Sequence, residues 1–224
     1  MKIVGYSERG AMNALFYGIA LANDENAFAE FLKKIGIKYH VSDVEFFMEF
    51  SLSEFGSPDL LVTFNGNFNG NKQKHILFIE AKTSCGKNYK LKKALKYFER
   101  TNQYKERYDG YSSNLYYQLS MKKLFFENLP NSIDGNGTIG IDGRTHKIGD
   151  NFVVKAICEK IKACNEAHYI AIVPKSDKPS DAPEYINHVF WEDLFECQQL
   201  KPYLIDTWNI NSDSINKKSQ ITNN

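Results

Sequence analysis

Cysteine is scarce in this chain of 224 residues, with four in all. Cys85, Cys158, Cys164 and Cys197 form no C-x-x-C pair, so the spacing supports neither a zinc ribbon nor a disulfide framework. They read as reduced thiols, and the expected compartment is the cytoplasm. Long apolar runs are missing too. No stretch reaches the ~20 residues that a membrane helix needs, so no membrane association is expected. The opening Met1–Glu8 turns polar too early for a secretory signal. Net charge is close to nil, +1 at pH 7, so any nucleic-acid surface must be local rather than global. There is no G-x-S-x-G elbow, and none of His40, His75, His146, His168 or His188 sits in a recognisable nucleophile motif. That leaves a Ser/His or Cys/His hydrolase without support. No internal repeat is apparent.

Apolar residues are plentiful: 42% hydrophobic and 14% aromatic, enough for a sizeable core. Residues 1–210 read as one domain. Residues 211–224 carry only Ile215 and Ile221 as apolar side chains and read as a disordered tail.

The periodicity predicts a helix capped by Ser7 and running to about Ala22, with Met12, Leu15, Phe16 and Ile19 as its apolar stripe. A second helix, Asp24 to Ile35, stops at Gly36. From Ile37 to Leu52 the pattern becomes that of a strand: Val44, Phe46, Met48, Phe50 and Leu52 alternate with Glu45, Phe47, Glu49 and Ser51.

The next segment is the most informative. Pro58-Asp59 opens the run Leu60–Phe64, and Glu80-Ala81-Lys82 closes the run Ile76–Ile79. Between them lie Asn65-Gly66 and Asn69-Gly70, a strong hairpin signal. A fold-back symmetric about Asn69/Gly70 sets Asp59 opposite Glu80, and strand alternation puts Glu80 and Lys82 on one face. Two carboxylates brought together repel unless a cation joins them, and oxygen ligands of this kind suit Mg²⁺. A neighbouring lysine can stabilise charge developing on a phosphate.

Pro58-Asp59 and Glu80-Ala81-Lys82 in this setting resemble the motif of the PD-(D/E)XK nuclease superfamily. The resemblance implies an α/β fold with a restriction-endonuclease-like core, a mixed central β-sheet flanked by helices. It implies Mg²⁺, with Mn²⁺ as a substitute, held by Asp59, Glu80 and the carbonyl of Ala81. Lys82 is then catalytic alongside Asp59 and Glu80. A first-helix glutamate often reaches such a metal, which makes Glu8 a further candidate. The same residue would also serve as an acid favoured in a first helical turn. Some members carry Gln-x-x-x-Tyr on the helix after the Glu-x-Lys strand. Here Gln118-x-x-x-Lys122 stands in a similar place, with lysine replacing the tyrosine, and Gln118 is a lesser site candidate.

The segment Lys87–Tyr108 reads as a helix rich in cations. Leu91, Leu95 and Phe98 form its core stripe and leave Lys92, Lys93, Lys96 and Arg100 displayed for phosphate contacts. Most charge runs are simply solvated faces. Ser112 or Ser113 is expected to cap the next helix, through about Asn128, with Leu115, Leu119, Phe125 and Phe126 inward. Residues 131–150, rich in Gly and Asn, read as a flexible loop or a hairpin. Its Asp134-x-Asn136 opening mimics a calcium loop but has Ile139 where the turn glycine belongs and Thr145 where the bidentate glutamate belongs, so calcium is rejected. Arg144, His146 and Lys147 make it a DNA-reading candidate. A helix over Phe152–Cys164, with Val153, Ala156, Ile157 and Ile161 inward, a buried strand His168–Val173 and a helix after Trp191 complete the chain.

The expected function is a Mg²⁺-dependent DNA phosphodiesterase, an endonuclease of restriction or defence type, with DNA as its partner. A homodimer would suit the cutting of both strands. The alternative is a non-catalytic nucleic-acid-binding or structural subunit of a larger nuclease complex.

Overall fold

Strands β2 (Leu60–Phe68) and β3 (Asn71–Ala81) carry the β-prone runs and pair antiparallel from Leu60↔Ile79 to Phe68↔Asn71. The computed structural model describes residues 8–38, 40–68, 70–83, 91–104, 114–129, 138–141, 144–148, 152–175 and 181–207. Gly70 has φ +85°, a left-handed turn conformation that glycine adopts at no steric cost. The register is the symmetric one, so one further step along both strands brings Asp59 beside Glu80.

The other strands are β1 (His40–Met48), β4 (Thr138–Ile141), β5 (Arg144–Lys147), β6 (Glu166–Val173) and β7 (Ile186–Phe190). The central sheet has five strands in the order β1-β2-β3-β6-β7, antiparallel from β1 to β3 and parallel from β3 to β7. β4 and β5 form a separate hairpin. Helices flank the mixed sheet, giving an α/β fold.

On one face lie α1 (Glu8–Met12), a π-helical turn (Asn13–Tyr17), α2 (Gly18–Ala22), α3 (Glu25–Lys34) and α7 (Trp191–Glu196). Their apolar side chains pack on Leu60, Val62, Leu77, Ile79, Ile170 and Ile172. On the other face, α4 (Leu91–Tyr104), α5 (Leu115–Asn128) and α6 (Phe152–Lys162) cover Leu61, Ile76, Phe78, Tyr169 and Ala171. β3 and β6 are thus covered on both faces, as parallel pairing generally requires.

Several local expectations shift. The first helix is interrupted by the π turn, and the ring of Tyr203 packs so close to Gly18 that a Cβ there would lie 2.8 Å from it. β1 ends at Met48, where Glu49 takes φ +56°. The alternation breaks there, so Val44, Phe46 and Met48 pack on one core while Phe50 and Leu52 pack on the other. α5 is capped by Asn114, whose side chain accepts from the amides of Tyr116 and Tyr117, not by Ser112 or Ser113. In α6 the buried stripe is Val154, Ile157, Cys158 and Ile161. Val153 and Ala156 are exposed, because the i, i+3, i+4, i+7 series starts one residue later. Lys87, Lys90, Lys105, Arg107, the Asp134–Asn136 opening and the tail 211–224 lie outside the described residues.

Candidate active site at the end of strand β3

The ladder between β2 and β3 stops at Leu60↔Ile79, one residue short of Asp59. Successive strand amides point to opposite sides. The Lys82 amide donates toward β6, to Ile172 O at 2.8 Å, so that of Ala81 turns toward β2. No ladder partner remains there, and Asp59 Oδ2 accepts it at 2.8 Å. The carboxylate therefore takes over from the backbone where the strand pair opens.

Glu80 points to the α4–α6 face and is 1% exposed. A carboxylate that deep must be neutralised or protonated. Burial pushes its pKa up to about 7; Lys122 opposes that shift, and Asp59 adds to it. Lys122 Nζ lies 3.2 Å from Glu80 Oε1. The pair has ion-pair distance without hydrogen-bond alignment, since Oε1 is a buried oxygen with no hydrogen bond. Lys122 reaches this depth past Gly56, where a Cβ would stand 3.2 Å from Nζ. Gly56 has φ +77°, so both its backbone and its missing side chain favour glycine.

Lys82 is 9% exposed. Its Nζ turns back to donate to Ala81 O at 2.9 Å and to Glu8 Oε2 at 3.2 Å. Its main chain is held on two sides, by Ile172 O and by Trp191 Nε1, which donates to Lys82 O at 3.0 Å. The sheet, the first helix and α7 all meet at this residue.

The structure links Asp59, Lys82 and, through Lys82, Glu8 to the main chain of Ala81, the residue after the buried Glu80. Glu8 and Lys82 are partners, so the acid at the start of the first helix does reach the site. Glu80 and Lys82 divide between two ammonium–carboxylate pairs rather than acting together. Glu45 and Glu49 stay away from it: Glu45 pairs with Lys160 at 2.6 Å, and Glu49 with Arg9 at 2.6 Å. Gln118, one turn before Lys122 on α5, is half-buried, and its Oε1 is buried without a hydrogen bond.

The proposed nucleic-acid residues fall elsewhere. Lys92, Lys93 and Lys96 are exposed on α4, the first two flanking the buried Leu91/Ala94/Leu95 stripe. Lys93 Nζ stands 6.0 Å from the ring of Tyr97, which is itself exposed. α4 is fastened to α5 by Asn114 Nδ2 donating to Ala94 O at 2.9 Å. Lys147 is exposed on β5, and its amide donates to Glu54 Oε2. The side chains of Arg100 and Arg144 lie outside what is described.

Lys122 is the site residue that sequence reasoning missed. No local signal marks it: α5 also carries Lys123 and Glu127, whose side chains are 31% and 48% exposed, so only the packing around the helix distinguishes the buried Lys122 from them. Comparison with family models, curated proteins and solved structures gives no match. The site is therefore interpreted from its own residues.

Proposed function

We propose that this chain is a Mg²⁺-dependent phosphodiesterase acting on DNA, an endonuclease built on a restriction-endonuclease-like core. The observation that carries the reading is Asp59 close enough to the buried Glu80 to act on its charge, at the strand end where Lys82 is held. The topology is consistent with it: a helix, an antiparallel three-strand meander, helices, then a parallel strand.

The donor set fits a hard divalent cation. Its oxygens are Asp59 Oδ1, Glu80 Oε1 and the Ala81 carbonyl; the last two face the ammonium groups of Lys122 and Lys82, which a bound cation would displace. When bound there, Mg²⁺ would offset charge on the phosphate and make a water more acidic. Asp59 and Glu80 would fix the cation, and Glu8 would orient the Lys82 ammonium through its 3.2 Å contact. Lys82 would stabilise charge that grows on the phosphate in the transition state. Lys92, Lys93 and Lys96 would hold the backbone of the duplex.

Incubation of the purified chain with supercoiled plasmid tests this. Nicked circles with Mg²⁺ or Mn²⁺, absent with EDTA and absent in Asp59→Ala, are the expected result. Intact plasmid under all conditions would overturn it.

A second reading has its own observation. The Lys122 ammonium already compensates Glu80, as a metal would. On that reading the chain is a non-catalytic nucleic-acid-binding or structural subunit. It then binds DNA without cutting it, and Mg²⁺ titration of the wild type gives no heat that Asp59→Ala removes.

A further inference from the structure

At the opposite end of β3 and β6 from Glu80 lies a second polar cluster. His75 and Glu166 face each other across the parallel ladder, and His168 stands two residues further along β6 on the same face. His75 Nδ1 is 3.2 Å from His168 Nε2. Glu166 spans both rings, with Oε2 3.5 Å from His75 Nδ1 and Oε1 3.8 Å from His168 Nε2.

We propose that His75, His168 and Glu166 form a binding site for one divalent transition-metal ion of the Zn²⁺ class, distinct from the Asp59–Glu80 site. Zinc takes imidazole nitrogen at ~2.0–2.1 Å in a tetrahedron, which makes the ligand-to-ligand edge about 3.3–3.4 Å. The His75–His168 separation falls just under that edge; the nearest Glu166 oxygens stand just over it, Oε2 from His75 and Oε1 from His168, so a small turn of the carboxyl group would bring one oxygen to both. Two imidazoles and a carboxylate are a set that zinc accepts and that magnesium, which favours oxygen alone, does not. A fourth position is left for water.

The surroundings hold the ligands in place. His75 is 1% exposed and stacks on Phe64, with ring planes 9° apart and centroids 5.0 Å apart. On its other side it stacks on His168, at 24° and 5.4 Å. Glu166 has a side chain 47% exposed, so an ion can reach the cluster from solvent. His75 and His168 are 93 residues apart in sequence, so a bound ion would add a clamp across the ladder between two strands that the chain connects by a long crossover.

The test uses the full chain, stripped with a chelator, and titrated with Zn²⁺ in competition with a chromophoric chelator. One zinc per chain is expected. Glu166→Ala, a change at an exposed side chain, and His168→Asn should each weaken binding by about tenfold or more, while Asp59→Ala leaves it unaltered. Co²⁺ is the second probe: the wild type should develop visible absorption of tetrahedral intensity that Glu166→Ala and His168→Asn lose. Absence of zinc uptake by the wild type, or uptake indifferent to both substitutions, would overturn the assignment and leave the two rings sharing a proton.

Discussion

The ammonium of Lys122 lies 3.2 Å from Oε1 of Glu80, with the two side chains 2% and 1% exposed. Removing one partner of a buried pair strands the other. Lys122→Met should therefore cost about 3 kcal/mol at pH 8, at the lower end of what broken buried pairs cost. The loss should shrink at pH 5, where Glu80 takes up a proton and no longer needs a cation. Urea unfolding at both pH values measures it, and equal losses at the two would contradict the charge argument.

Glu80 itself should make stability fall with rising pH. Its folded pKa, about 7, lies above the ordinary 4.5. Between those values the folded protein binds more protons than the unfolded chain, so stability is full below about pH 4.5 and declines through about pH 7. The full span corresponds to about 3 kcal/mol. Denaturation midpoints in EDTA across this window should slope downward in the wild type and flatten in Glu80→Gln.

Asp59→Ala should abolish metal-dependent cleavage and also cost about 1–2 kcal/mol. Sequence reasoning alone suggests slight stabilisation, through relief of repulsion with Glu80. The 2.8 Å bond from the Ala81 amide reverses that expectation, since a backbone donor loses its acceptor. Plasmid nicking together with thermal unfolding reads both effects.

Lys82→Ala should lower turnover far more than DNA affinity, because its charge is proposed to act on the transition state. Single-turnover cleavage with saturating enzyme separates the two. Unchanged single-turnover rates with collapsed binding would make Lys82 a phosphate anchor only.

Replacing Lys92, Lys93 and Lys96 together by Gln should weaken DNA binding uniformly across sequences. Each phosphate that is no longer neutralised should shallow the log–log salt dependence by about 0.9 for duplex DNA. All three side chains are exposed, so folding should be unaffected. Fluorescence anisotropy over a salt series decides it; an unaltered slope would make α4 an ordinary solvated face.

The hairpin was legible because its signals are local. Asn-Gly at the turn and β-prone residues on either side fix a register, and the register alone sets Asp59 beside Glu80. The stripes of the first helix and α4 were legible for the same reason, through Met12, Leu15, Phe16 and Ile19 and through Leu91, Leu95 and Phe98. What escaped depends on tertiary context. Lys122 reads as a surface cation until α5 is known to be enclosed by the sheet, α4 and the Phe55 turn. The phase change after Met48 rests on a positive φ at Glu49, which nothing in the local residue types demands. His75 and His168 meet only because β3 and β6 pair in parallel across a long crossover.

The hydrogen bond from Trp191 to the Lys82 carbonyl also gives the protein an internal optical gauge. An indole 4% exposed emits at the short-wavelength end of its range, and its N–H partner is the main chain of the residue proposed to meet the phosphate. Any displacement of residue 82 changes the polarity around that ring. Motion at the candidate site should therefore register in the Trp191 share of the protein's fluorescence, which a Trp208→Phe background isolates without an added label.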